Sequence, residues 1–234
     1  MNVDLTELAG EAEAAGLACR GGFHPGPEDG LPGFADGSAV ATVVLLGFVG
    51  AQQWTRFATS AEFADGRSDA LDRWSRRQID ALAARHAAMA FYPSEGPPWW
   101  PFQRWAMRAE PVFPSPIGVL IHPRFGLWHA YRGALALRTR LALPAREPVA
   151  HPCESCAAKP CLATCPVGAV RVNGYDHRGC ATHVAAPAGR DCLEFGCLAR
   201  RSCPVGREYR YAPAQARFHM AAFIGERRDR NAGS

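Results

Sequence analysis

The chain has little lysine, no blocks of charge and no long hydrophobic run. Among its 234 residues there is one lysine, Lys159, no block of five like charges, and a net charge of only +4. This weak basicity does not favour a nucleic acid or an anionic membrane surface as a partner. The longest nearly apolar run, residues 39–51, has 13 residues, whereas a membrane-spanning helix needs roughly 20.

The first ten residues carry Asp4 and Glu7 and no basic segment, which does not match a secretory signal peptide. We therefore expect a soluble, cytoplasmic protein without a membrane partner. Nine cysteines in that compartment indicate metal binding or redox chemistry rather than disulfides. With 48% apolar residues, a chain of this length forms one large domain or a domain with an appendage.

Eight of the nine cysteines lie between Cys153 and Cys203, in two runs. Their spacings are C-x2-C-x4-C-x3-C-P and C-x11-C-x4-C-x5-C-P, and both runs end in Cys-Pro-Val-Gly, at residues 165–168 and 203–206. One [4Fe–4S] cluster binds four thiolates, and a short run that ends in Cys-Pro is typical of bacterial ferredoxins. The sequence therefore predicts two [4Fe–4S] clusters and one-electron chemistry.

The ligands of each cluster follow from the rule that, in two-cluster ferredoxins, the fourth cysteine of a run ligates the other cluster. One cluster is assigned to Cys153, Cys156, Cys161 and Cys203, and the other to Cys165, Cys180, Cys192 and Cys197. Structural zinc is the alternative, but zinc ribbons use two C-x2-C pairs, and only the first run contains one. Free thiols are a third interpretation. Cys19 lies apart and is expected to be a small buried residue.

Hydrophobic periodicity predicts helices over residues 5–15, 51–63, 69–89 and 214–224, and a buried strand over residues 39–47. Residues 117–122 and 127–137 are predicted to be two strands joined by residues 123–126. Residues 91–102 form an aromatic, proline-rich loop that includes Trp99 and Trp100. Residues 145–152 are predicted to be a linker, and residues 226–234 a frayed end.

Residues 115–135 combine glycine, aromatic and polar side chains within the two predicted strands. A planar, amphipathic cofactor binds to such a surface. The candidates are Gly126 and Gly133 for close backbone approach, Trp128 and Tyr131 for aromatic contact, and His122 and Arg132 for hydrogen bonds. The alternative is that Trp128 and Tyr131 belong to the core and that His122 belongs to a turn. Hydrophobic periodicity taken alone slightly favours this alternative.

Two families resemble this region. The string IGVLIHPRFGLWHAYRGALAL at residues 117–137, followed by CESCAAKPCLATCPVGAV at 153–170, resembles the junction of the cobalamin-binding and ferredoxin domains of epoxyqueuosine reductases. HPRFG-x-W-x-A-x-RG also resembles the cobalamin-processing protein of methylmalonic aciduria and homocystinuria type C. The resemblance, over residues 117–206, implies an α+β, flavin-reductase/nitroreductase-like sheet domain at 1–147. A ferredoxin-like two-cluster domain at 148–210 follows, then a closing helix and tail at 211–234.

The resemblance also implies a second cofactor. It puts a corrinoid near Ile117, Gly118, Leu120, His122, Phe125 and Gly126, and it makes Arg132 the counterpart of an arginine that contacts glutathione. Two features depart from the reductases. The helical-repeat region that follows their clusters is absent, and their proton-donating aspartate has no convincing counterpart, because residues 91–114 offer only Glu95 and Glu110.

The leading prediction is an iron–sulfur protein that binds and reduces cobalamin, for cofactor processing or for reductive chemistry. Flavin is the alternative occupant of the pocket, and glutathione is a possible co-substrate. Electrons would come from a flavodoxin, a ferredoxin or a reductase. Two other functions stay open, namely a ferredoxin-type carrier without a corrinoid and an epoxyqueuosine-reductase-like enzyme that acts on tRNA.

Overall fold

The computed structural model describes residues 4–146 and 148–232. These residues form a mixed α+β structure, in agreement with the predicted class. The elements in chain order are α1 (Leu5–Ala14), β1 (Ala18–Phe23), β2 (Thr42–Val49), α2 (Trp54–Ala58), α3 (Ala61–Ala64), α4 (Ala70–Arg85), β3 (Met89–Phe91), α5 (Phe102–Ala109), β4 (Phe113–Pro114), β5 (Leu120–Ile121), β6 (His129–Leu137), α6 (Pro160–Ala163), β7 (Val170–Arg171), β8 (Gly174–Tyr175), α7 (His177–Ala185), α8 (Arg190–Phe195), α9 (Leu198–Ser202) and α10 (Pro213–Ala232).

Two compact units divide the chain. The first unit holds Met1–Pro111 and His129–Pro148, and the second holds Val112–Trp128 and Val149–Ser234. Residues 112–128, which the resemblance assigns to the first domain, therefore lie in the unit that contains the clustered cysteines. The predicted domain boundary at residue 147 and the last two residues of the predicted frayed end lie outside the described residues. No helix in the described ranges is long and apolar enough to cross a membrane.

The first unit is built on a four-stranded antiparallel sheet with the strand order β1-β2-β6-β3. All eight residues of β2 are buried. Because successive side chains of a strand point to opposite faces, this strand is covered on both faces of the sheet. Helices α1 and α5 contact β1, and α4 contacts β6 and β3. The sheet and these helices together form the core of the unit.

A bulge interrupts the pairing of β2 with β6. Leu46 pairs with Gly133 and Gly47 pairs with Tyr131, so that Arg132 is the extra residue. A side chain at position 47 would overlap the carbonyl oxygen of Ala130, which explains the glycine there. A bulge redirects the side chain of its extra residue, and this one determines where Arg132 points.

The aromatic loop is largely part of the core of the first unit. Trp100 stacks on Trp105, with ring centroids 5.9 Å apart, and its edge meets Phe91 at 4.7 Å. Phe102 begins α5 and is buried. Only Trp99 of this group is largely exposed, at 63%. Trp100, Phe102 and Trp105 therefore pack into the core of the first unit.

The second unit contains short strands and several short helices. Strand β4 pairs with β5, and β7 pairs with β8. The long helix α10 packs against α7 and α8, and α6 packs against α9. Three of the eight clustered cysteines lie within these helices, namely Cys161, Cys180 and Cys192, and Cys197 and Cys203 flank α9.

Several predicted elements need correction. The buried strand lies at Thr42–Val49 instead of 39–47, and the helix predicted over 51–63 is two short helices, with Ser60 capping the second. The helix over 69–89 ends at Arg85, and Met89 belongs to β3. The predicted strands at 117–122 and 127–137 do not form a ladder with each other, because β5 pairs with β4 and β6 pairs with β2 and β3. The first helix is confirmed at Leu5–Ala14.

Candidate metal centres

The eight clustered cysteines border two separate cavities in the second unit. Each is lined by four cysteines. We call the cysteines of the first cavity the first group, namely Cys153, Cys156, Cys161 and Cys203. Those of the second cavity are the second group, namely Cys165, Cys180, Cys192 and Cys197. The fourth cysteine of each sequence run therefore faces the cavity of the other group.

The first group is drawn from three parts of the chain. Cys153 and Cys156 lie in a turn before α6, Cys161 is in α6, and Cys203 ends α9. The backbone N–H of Cys153 donates to Nδ1 of His151 at 3.1 Å. Around the thiols the cavity is bordered mainly by apolar residues and by one cation, namely Pro116, Ile121, Pro152, Pro160, Pro204, Val205 and Lys159.

The second group is drawn from three helices and the turn before β7. Cys165 follows α6, Cys180 is in α7, Cys192 is in α8, and Cys197 caps α9. One of these thiols accepts a backbone hydrogen bond, from the N–H of Ala169 to Sγ of Cys165 at 3.3 Å. At a second thiol, hydrogen bonding by Tyr175 lowers the pKa of Cys180 against the larger effect of burial. Such donors stabilise negative charge on sulfur.

The electrostatics confirm that each group is a set of close neighbours. Burial raises the pKa of the Cys153 thiol to about 11, with further increases from Cys203, Cys161 and Cys156. The pKa of Cys180 is also raised, first by burial and then by the other three thiols of the second group. The same two causes raise the pKa of Cys161, Cys192 and Cys203.

No set of three or more histidine, cysteine, aspartate and glutamate side chains within residues 4–146 and 148–232 is arranged to hold a metal ion. The donor set of each cavity nevertheless has a defined chemistry. Four sulfurs and no carboxylate line each one, and thiolates are the ligands that iron–sulfur clusters use. Each thiolate of a [4Fe–4S] cube binds a different iron, so the group needs a void bordered by four sulfurs.

Residues 112–128 cover the first group. Ile121, Leu127 and Cys203 form a buried apolar cluster. The side chains that pack against it come from both parts of the unit, namely Phe113, Ile117, Cys153 and Val205. Burial of apolar surface of this kind stabilises the fold by about 25 cal/mol per Å². The segment that sequence reasoning assigned to a cofactor pocket is thus the lid of the first cysteine group.

Gly126 allows this lid to approach the second Cys-Pro-Val-Gly copy. Its φ is +58°, and a side chain there would overlap the carbonyl oxygen of Val205. Gly206 has a φ of +67°, and a side chain there would overlap the backbone of Phe125. Only glycine combines a left-handed conformation with such close packing at low cost. The predicted close approach at Gly126 is therefore made by protein backbone.

The other predicted pocket residues of this segment are in defined positions. The ring of His122 stacks on Phe125, with centroids 4.3 Å apart, and its Nδ1 accepts from the N–H groups of Arg124 and Phe125 at 3.0 and 3.2 Å. Leu120 is buried in β5, and Gly118 is exposed with a φ of +81°. His122 thus has the turn role that the alternative interpretation gave it.

Trp128 is buried beside a cation. The guanidinium of Arg200 lies against the rings of both Trp128 and Tyr211, 4.5 and 4.6 Å from their centroids. Nε of Arg200 also donates to the carbonyl oxygen of Leu127 at 3.1 Å. Because α9 carries Arg200, this contact fastens the lid to the helix between Cys197 and Cys203.

Tyr131 and Arg132 lie in the first unit and are engaged in bonds there. The hydroxyl of Tyr131 donates to Glu110 at 2.5 Å. Arg132 donates to Ser75 at 3.1 Å and forms an ion pair with Asp72. Gly133 faces Ile79 and the carbonyl of Phe91. The cofactor roles predicted for these residues stay predictions, and the contacts observed here serve the packing of α4, β3 and α5.

Glu110 anchors a buried polar network in the first unit. Arg20 is only 2% exposed, and its Nε and Nη2 donate to Glu110 at 3.1 and 2.7 Å. Cys19 is partly buried in β1, where burial and then Glu110 raise its pKa. Glu110 is thus an ion-pair partner as well as the acceptor of the Tyr131 hydroxyl.

Sequence reasoning missed two residues that face the thiols. Tyr175 bonds to Cys180, and Lys159, the single lysine of the chain, lines the first cavity. The positive charge of Lys159 lowers the pKa of Cys153 against the larger effect of burial. Lys159 could have been predicted from the sequence, because the one lysine of the chain lies between two clustered cysteines. Tyr175 has no comparable signal, because only the β7–β8 turn brings it back to Cys180.

Comparison with known proteins identifies a solved structure with a similar fold. No family model matches the chain, and no curated protein matches it. Among solved structures it is similar to the crystal structure of an epoxyqueuosine reductase with an epoxyqueuosine-modified tRNA-Tyr stem loop. The TM-score is 0.51 at 15% sequence identity, over 91% of this chain and 68% of that chain. The chain therefore has an epoxyqueuosine-reductase-like α+β fold.

Proposed function

We propose that this chain is an iron–sulfur oxidoreductase that holds one [4Fe–4S] cluster on each cysteine group. The observation that carries the proposal is the pair of cavities, each bordered by four sulfurs. The sulfurs combine across the two sequence runs as they do in two-cluster ferredoxins, where the fourth cysteine of a run binds the other cluster. A disulfide framework or scattered core cysteines would not need this exchange.

The clusters would supply one-electron transfer, and the protein residues set the conditions for it. The lid of residues 112–128 and the prolines around the first cavity exclude water from the first group. Backbone and hydroxyl donors aimed at Cys165 and Cys180 favour the charged sulfurs of the second group. Hydrogen bonds and solvent exposure are the means by which proteins tune such centres.

The substrate we propose first is a modified base in tRNA. The solved structure of similar fold is an epoxyqueuosine reductase in complex with a modified tRNA stem loop. By that analogy the electrons would serve a reductive reaction on the nucleoside. The second unit provides arginines for contacts with phosphate, namely Arg178, Arg190, Arg207 and Arg210, all of them exposed.

The second candidate is reduction of a free corrinoid for cofactor processing. It is favoured by the sequence resemblance and by the position of Ile117, Gly118, Leu120 and His122 in the lid over the first group. Tyr131 and Arg132 are left out of this proposed site, because they would have to give up Glu110 and Asp72 to reach a ligand. Flavin would be tested in the same way as the corrinoid.

The cluster proposal is tested by replacing, in each sequence run, the one cysteine that faces the cavity of the other group. Anaerobically prepared wild-type protein should contain about eight iron atoms per chain, and Cys203→Ser should remove the cluster of the first group although Cys203 belongs to the second run. Cys165→Ser should remove the other. Cys19→Ser is the matched control and should retain all the iron. Loss of the second-group signal in Cys203→Ser would overturn the ligand sets.

The substrate is tested separately on protein that has full iron content. Turnover of epoxyqueuosine-containing tRNA by the reduced protein, or restoration of the modification in a strain that lacks it, would support the first candidate. Co-purification of supplied hydroxocobalamin, with reduction by a one-electron donor and no effect on tRNA, would support the second. Iron-loaded protein that acts on neither substrate and retains neither corrinoid nor flavin would favour the function of a ferredoxin-type electron carrier.

A further inference from the structure

Helix α9 joins the two cysteine groups and carries two consecutive arginines. Cys197 of the second group precedes its first residue, and Cys203 of the first group follows its last. The backbone N–H of Cys203 donates to the carbonyl oxygen of Arg200 at 3.3 Å. Arg200 and Arg201 are both partly buried. Because α9 has only five residues, both side chains start within about one helical turn of a cysteine at either end.

The charge of Arg200 is held by neutral groups on the side of the first group. Its Nε donates to the carbonyl oxygen of Leu127 at 3.1 Å, and its guanidinium lies 4.5 Å from the ring centroid of Trp128 and 4.6 Å from that of Tyr211. Leu127 packs with Cys203 in the buried apolar cluster. A carbonyl and two rings orient a cation but do not neutralise it. Arg200 therefore adds a full positive charge on this side.

The charge of Arg201, the next residue, is balanced on the side of the second group. Arg201 forms an ion pair with Asp191, and its Nε donates to the carbonyl oxygen of Gly196 at 3.2 Å. Asp191 immediately precedes Cys192 in α8. Burial has the largest effect on the pKa of the Cys192 thiol and raises it, and the smaller effects of Asp191 and Arg201 are opposite in sign. The ion pair therefore adds little net charge at the second group.

Two exposed cations also act on the first group. Lys159 lines the first cavity, and Nη2 of Arg210 donates to the carbonyl oxygen of Arg201 in α9. Against the larger effect of burial, Lys159 lowers the pKa of Cys153. Arg210 likewise lowers the pKa of Cys203, again against burial. Because both cations are exposed, water and salt screen them more than they screen Arg200.

The remaining charges close to the cysteines in sequence are exposed and occur beside both groups. They are Glu154, Arg207 and Glu208 for the first group, and Arg171, Asp176, Arg178 and Arg190 for the second. Screening weakens their influence in the same way. Burial of the sulfurs is also similar, because one cysteine of each group is buried, namely Cys203 and Cys192. The clearest difference between the groups is therefore the partly buried charge of Arg200.

We propose that Arg200, assisted by Lys159 and Arg210, makes the cluster of the first group the first of the two to accept an electron. The inference rests on the proposed function, because it needs both clusters. A reduced [4Fe–4S] cluster carries one more negative charge than the oxidised cluster, so a positive charge beside it stabilises the reduced form and raises its potential. The electron comes from a one-electron reductant, which is oxidised in the same step, and no proton is transferred.

The test is a redox titration of the iron-loaded protein with dithionite, followed by electron paramagnetic resonance at constant pH. The spectra of Cys165→Ser and Cys203→Ser, each with one cluster, identify the two signals. In the half-reduced wild type, the first-group signal should be the larger. Arg200→Met keeps most of the side-chain volume and removes the charge. It should lower the ratio of the first signal to the second by about tenfold, which is about 59 mV for a one-electron couple.

Three further variants separate charge from packing. Arg200→Lys keeps the charge and should restore most of the wild-type ratio. Lys159→Gln, at an exposed position, should lower the ratio by a smaller factor and carries little risk to folding. The matched control is Arg201→Met/Asp191→Asn, which removes both charges of an ion pair from the same region and should leave the ratio unchanged. Iron content per chain, measured in every variant, shows whether both clusters are intact.

Several results would overturn the inference. Wild-type protein that reduces its second cluster first would do so, and so would an unchanged ratio in Arg200→Met. An equal decrease in Arg200→Met and Arg200→Lys would assign Arg200 to packing alone. Should Arg200→Met lose its iron, an unchanged ratio in Lys159→Gln would still contradict the inference. Wild-type protein without iron would instead contradict the proposed function.

Discussion

The two Cys-Pro-Val-Gly copies have the same sequence and different surroundings. In both copies the glycine is left-handed, with φ of +59° at Gly168 and +67° at Gly206. Nothing lies within 4 Å of a side chain built at Gly168, whereas one built at Gly206 would overlap the backbone of Phe125. Val167 is exposed, and Val205 packs against the apolar cluster of the lid.

The difference shows which part of each site is local and which is not. The turn conformation repeats because the same four residues specify it. The cover does not repeat, because residues 112–128 pack on Cys203 and Val205, whereas Val167 is exposed and nothing lies within 4 Å of a side chain built at Gly168. We therefore expect Cys203, which is buried, to be protected and coupled to the lid, and Cys165, which is only partly buried, to be the more accessible of the two.

The largest expected effect comes from exchanging the two glycines for alanine. Gly206→Ala combines a left-handed alanine with backbone overlap and should cost about 3–5 kcal/mol of unfolding free energy, with loss of the first cluster. Gly168→Ala has room for its methyl group and should cost only the conformational penalty of about 1–2 kcal/mol. Thermal unfolding and iron content measure both. Equal losses of unfolding free energy in the two variants would contradict the difference in packing between Gly206 and Gly168.

A buried charge outside both groups provides the next largest effect. Glu110→Gln removes the negative partner of Arg20, whose side chain is 1% exposed, and should cost about 3 kcal/mol. The lost ion pair lies in the first unit. The iron content and the ratio of the two cluster signals should therefore stay as in the wild type. Denaturant unfolding and electron paramagnetic resonance measure the two quantities. Selective loss of one cluster would show that Glu110 affects one cysteine group and would contradict this expectation.

The difference in exposure between the two copies leads to a difference in how fast their cysteines react. When the protein is exposed to air, the thiol of Cys165 should become available to an alkylating reagent before that of Cys203. The reason is that residues of the lid pack on Cys203, whereas Cys165 is only partly buried and its neighbour Val167 is exposed. Mass spectrometry of timed samples gives the order. Simultaneous labelling, or the reverse order, would contradict the assigned protection.

The smallest expected effects concern the cluster potentials. Tyr175→Phe removes a hydrogen bond to Cys180 and should make the potential of the second cluster more negative, with the first unchanged. Lys159→Gln removes the positive charge at the first cavity and should do the same to the first cluster only. Redox titration followed by electron paramagnetic resonance separates the two. A shift of both clusters in either variant would mean that the groups are not electrostatically distinct.

Sequence patterns predicted the elements whose signals are local. The amphipathic periodicity predicted α1 and most of α4, and the buried run predicted β2 to within a few residues. The cysteine spacing predicted which four thiols share a cavity, and the cavities contain those sets. The identity of the metal group is not decided by these cavities and stays a prediction.

The rest of the site depends on packing that spacing does not reveal. Residues 117–137 look like one strand pair, but Leu127 and Trp128 turn the chain from the lid in the second unit into β6 in the first. Gly126 looked like a place for cofactor approach and meets Val205 instead. Arg132 looked like a ligand contact, and a bulge in β6 directs it to Asp72. Each of these observed contacts involves a partner that is distant in sequence.

The most direct test of the central claim is iron, sulfide and zinc analysis of anaerobically purified protein, combined with its absorption and Mössbauer spectra. The account predicts about eight iron atoms and eight sulfides per chain, with spectra of two [4Fe–4S] clusters that Cys203→Ser and Cys165→Ser remove one at a time. Colourless protein, or protein that contains stoichiometric zinc and no sulfide, would contradict it.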